Sequence, residues 1–163
     1  MRVFALVFAL VAFSAAGALA QDGEEPAQPG DAPALEACLN AASEPSTEHG
    51  RTCIGLVSQP CMAAGSYSTM EMVRCLQRER HAWDVLSGSY VARLRASETA
   101  TQIERLDAYL AAREIWLEGD CGYQASLFEG GSLSGLTGEA CRKTHSAEVA
   151  IQLHGRVRNY DQR

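Results

Sequence analysis

The sequence predicts an all-α fold: a small helical bundle of about five helices stabilised by three disulfides, after a cleaved signal peptide and a disordered spacer. Three observations carry this expectation. From Ala34 onward apolar residues recur three and four positions apart, and no stretch sustains the apolar/polar alternation of a strand. The six cysteines, an even number, all follow a segment with the layout of a secretion signal. The 143 residues after that segment suffice for one domain with its own core.

Residues 1–20 read as the signal peptide. Met1-Arg2 is a basic start, Val3 to Phe13 is an unbroken apolar run, and Ala18-Leu19-Ala20 offers the small residues that signal peptidase needs. The run is shorter than the ~20 apolar residues that span a bilayer, so cleavage after Ala20 and a mature chain that does not span the membrane are expected. Residues 21–33 (QDGEEPAQPGDAP) contain three prolines, four acids and no large apolar side chain. Such a composition buries nothing and reads as a disordered acidic, proline-rich spacer.

The helical domain is expected over 34–157. Ala34–Ala42 forms a short helix that ends at Ser-Glu-Pro, and Arg51–Ser58 forms another, stopped by Gln59-Pro60. The third helix starts at Ser68, which with Glu71 can form a capping box. Its stripe, Met72, Leu76, Glu79, Trp83, Leu86, Tyr90 and Leu94, advances in steps of four and three and so lies on one face. A new cap follows at Ser97–Thr101. The fourth helix carries Ile103, Leu106, Leu110, Arg113 and Leu117 on one face and runs, with a break at Gly119, as far as Phe128. Glu129–Gly138 (EGGSLSGLTG) reads as a loop, Gly138–Val157 as the last helix and 158–163 as a polar tail.

Cys38, Cys53, Cys61, Cys75, Cys121 and Cys141 are expected to form the three disulfides. Six cysteines permit many connectivities. Their spacing suggests neighbours along the chain: 38–53, 61–75 and 121–141. A periplasmic or secreted location follows from the signal peptide and the cysteine count.

Signal cleavage removes Arg2, leaving thirteen basic against twenty acidic residues and a formal charge of −7. An acidic chain has no phosphate-binding character, so nucleic acid is not an expected partner. No cofactor or metal is expected. Cys141-x-x-x-His145 has ligand-compatible spacing, but no second pair with zinc-like spacing completes it, and Cys141 is better used in a disulfide. His49, His81 and His154 are scattered and read as surface residues. There is no Gly-x-Ser-x-Gly nucleophile motif and no unpaired thiol, so no catalytic residue is assigned and the protein reads as non-enzymatic. Glu79 stands out because it interrupts the apolar stripe. It either pairs with a buried partner, most simply an arginine, or sits at the rim of a groove. The glycine-rich segment 129–138 is either a recognition loop held by Cys121 and Cys141 or a plain connector.

Cys61…Ser68-Thr69-x-x-Met72-x-x-Cys75-x-x-x-Glu79, then Trp83-Asp84-x-Leu86-Ser87-x-x-Tyr90, resembles the bacterial LprI-like lysozyme-inhibitor N-terminal domain family. Trp116-Leu117, Cys121-x-Tyr123, Gly130-Gly131-Ser132, Cys141-x-x-Thr144 and Leu153 extend the likeness over about residues 50–155. The chain departs from the family pattern at Leu86-Ser87, where Leu-Asn is common. It departs again in the short Trp116–Cys121 interval, and at Ala147, where a basic residue is usual. The resemblance implies an extracytoplasmic helical domain that binds a protein, a cationic lysozyme being the candidate partner. The alternatives are an envelope-maintenance module that binds another envelope protein, and an enzyme acting on cell-wall sugar.

Overall fold

The computed structural model describes residues 24–42, 46–65, 68–128 and 131–162. Residues 1–20, expected as a signal peptide, and residues 21–23 of the expected spacer lie outside the described residues. All regular structure among those described is helical: α1 (Asp31–Asn40), α2 (Thr47–Thr52), α3 (Ser58–Ala63), α4 (Thr69–Ser97), α5 (Ala100–Ser126) and α6 (Leu133–Asp161).

The spacer expectation needs correction over residues 24–33. Glu24 pairs with Arg80 at 2.6 Å, the Glu25 amide donates to Gln77, and the Glu25 carbonyl bonds His81 at 2.7 Å. Helix α1 begins at Asp31 rather than Ala34. The Asp31 carboxylate accepts the Gln28 amide at 2.7 Å and is gripped in a two-pronged pair by Arg78, both N–O distances being 2.7 Å. Acidic composition alone suggested a solvated segment. The arginines that bind these acids lie some fifty residues away, on α4.

Two short helices replace the single one expected over Arg51–Ser58. Ser46 caps α2 by accepting the His49 amide, so that helix starts early. Gly55 then adopts a positive φ of 101°, which L side chains rarely reach, and turns the chain into α3. Pro60 does not stop a helix. It sits in the first turn of α3, where its missing N–H is not needed.

The α4 capping box forms as the sequence implies, Ser68 and Glu71 each bonding the other's backbone amide. Leu76, Glu79, Trp83, Leu86, Tyr90 and Leu94 are all buried, and Met72 is half-buried at the start of the stripe. Thr99 and Gln102 form a second capping box for α5. That helix passes through Gly119 without the expected break and ends at Ser126. Helix α6 begins at Leu133, so most of the expected glycine-rich loop is helix, and it extends through most of the expected tail to Asp161. Side-chain partners on other elements hold that last turn, with Arg93 on Asp161 at 2.7 Å and Arg158 on the Ala42 carbonyl.

Helix α6 carries most of the interhelical packing, lying against α4 on one side and α5 on another. Leu35 and Leu39 of α1, Trp83, Leu86, Tyr90 and Leu94 of α4, and Ala147, Ala150, Ile151, Leu153 and Val157 of α6 meet in one core. Helix α2 docks on α6 through Gly50, where a β-carbon would come within 2.5 Å of Ile151 Cγ2. The disulfides follow the neighbour pairing. Cys38–Cys53 ties the end of α1 to the residue after α2, Cys61–Cys75 ties α3 to α4, and Cys121–Cys141 ties α5 to α6. Three disulfides are the mark of a chain that matures where thiols oxidise. No helix among the described residues is long and apolar enough to cross a membrane.

Candidate functional site

Glu79 is completely buried, and its partner is not an arginine. One carboxylate oxygen accepts the Gly55 amide at 2.7 Å and the Trp83 indole N–H at 3.2 Å. The other accepts the amides of Val57 at 3.1 Å and Ser58 at 2.7 Å. Lys143 of α6 stands 3.8 Å away. Burial pushes the carboxyl upward, but the amides of Ser58 and Gly55 and the Lys143 charge outweigh it, so its pKa falls below the ordinary 4.5. Glu79 therefore anchors the Gly55–Ser58 turn and the N-terminal end of α3, whose free amides need an acceptor. With no solvent access it is not placed to protonate a substrate.

A second ionic cluster lies where α4 and α6 meet. Glu139 is buried and binds Arg80 at 2.6 Å, while Arg80 also reaches Glu24 at 2.6 Å and Asp84 at 3.5 Å. Desolvation opposes the Arg80 charge, and the Glu139 carboxylate more than restores it. This cluster joins the segment before α1 to the bundle.

The histidines are not loose surface groups. His154 is buried, bonds Asn40 at 3.0 Å and packs against the Tyr90 ring at 5.6 Å between centroids. Burial and the nearby Arg158 charge lower its pKa from 6.5. His49 meets the Cys38 carbonyl at 2.9 Å, beside the first disulfide.

His145 is the most informative of the four. Its Nε2 lies 2.9 Å from Asp120 Oδ2, across the α5–α6 seam and beside the Cys121–Cys141 disulfide. Gln124 donates to the same carboxylate oxygen at 3.1 Å. His145 holds the Asp120 pKa below its ordinary value, with Gln124 assisting. The imidazole meets the Trp116 ring edge-on at 4.4 Å, and the Arg113 guanidinium stands 5.0 Å from the Trp116 ring centre. His145 Nδ1 is buried and has no hydrogen-bond partner among the described residues. A cleft of about 620 Å³ opens beside the pair, lined among others by Gln124, Leu136, Thr144 and Glu148. The sequence signal for this arrangement was Asp120 directly before one cysteine and His145 four residues after its partner. Cys141-x-x-x-His145 alone did not reveal Asp120.

Next to the cleft, the C-terminal half of α5 carries uncovered apolar side chains. Ile115 is 77% exposed, Tyr123 66% and Leu127 63%, with Trp116 half exposed. At ~100° per residue Ile115, Trp116, Tyr123 and the C-cap residue Leu127 fall within an arc of roughly 120°, with Trp116 at the edge that meets His145 of α6. Phe128 and Leu133 continue the exposed apolar surface in sequence around the α5–α6 turn. Glu114 and Glu118 flank the arc on one side and Asp120 on the other. The periodicity that located the buried Leu106 side of α5 gave no reason to look at the opposite side. The glycine-rich segment, open between a recognition loop and a plain connector on sequence grounds, supplies Leu133–Gly138 to the start of α6.

Comparison with protein-family models, with curated proteins and with solved structures gives no match to this chain.

Proposed function

We propose that this is an exported, non-enzymatic protein-binding module of the bacterial periplasm or exterior, and that α5 presents its binding face. The observation that carries the reading is the exposed apolar arc of Ile115, Trp116, Tyr123 and Leu127 on a helix clamped in place by Cys121–Cys141. Clustered exposed aromatic and aliphatic side chains on a rigid element are what a protein partner buries. The acids at the edges of the arc and the charge of −7 on the mature chain favour a cationic partner and speed its encounter. Lysozyme is the cationic protein that the sequence resemblance to LprI-like inhibitors brings forward.

The test is a titration of the mature protein into a lysozyme lysis assay at low and moderate salt. The expected result is inhibition that weakens with salt and is lost in the combined variant Ile115→Ser, Tyr123→Ser, Leu127→Ser. Undiminished lysis at excess protein, at both salt levels, contradicts lysozyme as the partner. Salt-independent capture of another envelope protein by the same face would favour the envelope-maintenance reading.

A further inference from the structure

We propose that opening the Cys121–Cys141 disulfide converts this end of the α5–α6 hairpin into a zinc site. Its ligands are the two thiolates, one ring nitrogen of His145 and the Asp120 carboxylate. One potential ligand atom from each of these four residues lies within 4.8 Å of all the others. Two come from consecutive positions on α5 and two from successive turns of α6, so helices rather than loops place them. Two sulfurs, one imidazole nitrogen and one carboxylate oxygen make a tetrahedral donor set of the kind zinc takes.

The disulfide is what closes the site. Its sulfurs are 2.05 Å apart, and tetrahedral zinc needs them separated by roughly 3.8 Å at Zn–S bonds of ~2.3 Å. The Cα atoms stand 5.5 Å apart, so rotation of the two cysteine side chains can supply that change without moving the helices. Cys121 is fully buried, Cys141 and His145 are each 8% exposed, and Asp120 opens to the cleft, which gives an ion its entry. The 2.9 Å contact of His145 Nε2 with Asp120 Oδ2 already brings the two non-sulfur ligands together beside the sulfurs.

The chemistry balances with a dithiol donor. The donor delivers two electrons and two protons to the S–S bond and leaves as its own disulfide, giving two cysteine thiols. Zinc then displaces both thiol protons to solvent as the thiolates bind. In an oxidising compartment the site is closed, and it opens where dithiol reductants act.

The test uses the mature chain, reduced anaerobically with a phosphine, and titration of Zn(II) against a chelating indicator. The oxidised protein is expected to take up no zinc at this site. Reduced wild type is expected to bind one ion, as are reduced Cys38→Ser/Cys53→Ser and Cys61→Ser/Cys75→Ser. Reduced Cys121→Ser/Cys141→Ser is expected to bind none, and His145→Ala and Asp120→Asn to bind roughly tenfold or more weakly. Circular dichroism accompanies each titration, and if reduction alone loosens the helices, zinc is expected to restore them. Equal zinc uptake by Cys121→Ser/Cys141→Ser overturns the proposal. So does a reduced wild type that neither binds zinc nor regains helicity with it. None of these outcomes depends on the identity of the protein partner.

Discussion

Helices α4 and α5 are nearly equal in length, 29 and 27 residues, and both start with a capping box, yet they do opposite work. Helix α4 buries eight side chains, including a carboxylate, in one continuous face. Helix α5 buries Leu106 and Cys121, packs on α6, and with its C-cap residue Leu127 leaves Ile115 and Tyr123 exposed and Trp116 half exposed. Folding accounts for the buried face of α4, whose exposed large apolar residues Met70 and Val85 lie fifteen positions apart. It does not account for the apolar side chains of α5, whose removal from water requires a partner. The contrast separates the part of the molecule that builds the fold from the part available for binding.

The largest expected effect is at the centre of α4. Glu79→Ala leaves the amides of Gly55, Val57 and Ser58 and the Trp83 N–H without their acceptor, and removes the counter-charge of Lys143. A loss of about 4 kcal/mol is expected in urea unfolding, a large share of a domain's stability. On α5 the strongest structural perturbation is Cys121→Ser/Cys141→Ser. Releasing that 20-residue link should cost about 3 kcal/mol and loosen the C-terminal half of α5 before the core, which peptide-level hydrogen exchange would resolve. Gly50→Ala places a β-carbon against Ile151 where α2 meets α6, and a lowered thermal midpoint equivalent to about 2 kcal/mol is expected.

Buried groups also give folding a pH dependence. His154, Glu79 and Asp31 all have pKa values lowered on folding. The unfolded chain then takes up protons first as pH falls, so each group's stabilising contribution is complete above its ordinary pKa and is lost as pH drops through the folded value. Stability is expected to decline in two stages, from about 6.5 downward as His154 is forced to charge and from about 4.5 downward as the carboxylates protonate. His154→Gln should flatten the first stage in thermal melts recorded across that range. The smallest effect on stability belongs to the triple serine variant of Ile115, Tyr123 and Leu127. Each exposed position should change stability by no more than about 0.5 kcal/mol, while partner binding disappears.

The sequence made α4 readable because its signals were local and periodic. Ser68 and Glu71 announce the cap, and Leu76 to Leu94 repeat at helical intervals. It also exposed Glu79 as an anomaly, although the partners could not be read, because they are backbone amides in a turn some twenty residues earlier. Composition misleads over residues 24–33 for a related reason: Arg78 and Arg80, which hold Asp31 and Glu24, are distant in sequence. Glycine content pointed to a loop over Glu129–Gly138, whereas Gly138 allows α6 to approach Ala125 of α5, where a β-carbon would come within 3.3 Å. The α5 face left no trace in a search for buried periodicity, since its message is exposure. The Asp120–His145 pair was half visible, through His145 and Cys141, and needed the packing of two helices to complete it.

Hydrogen exchange of the mature protein, alone and with lysozyme at low salt, tests the division of labour between α4 and α5 most directly. The expected result is new protection concentrated in residues 112–128, with α4 unchanged from its slow exchange in the free protein. Protection centred on any other surface, or none along α5 at saturating lysozyme, would contradict the assignment of α5 as the face that binds this partner.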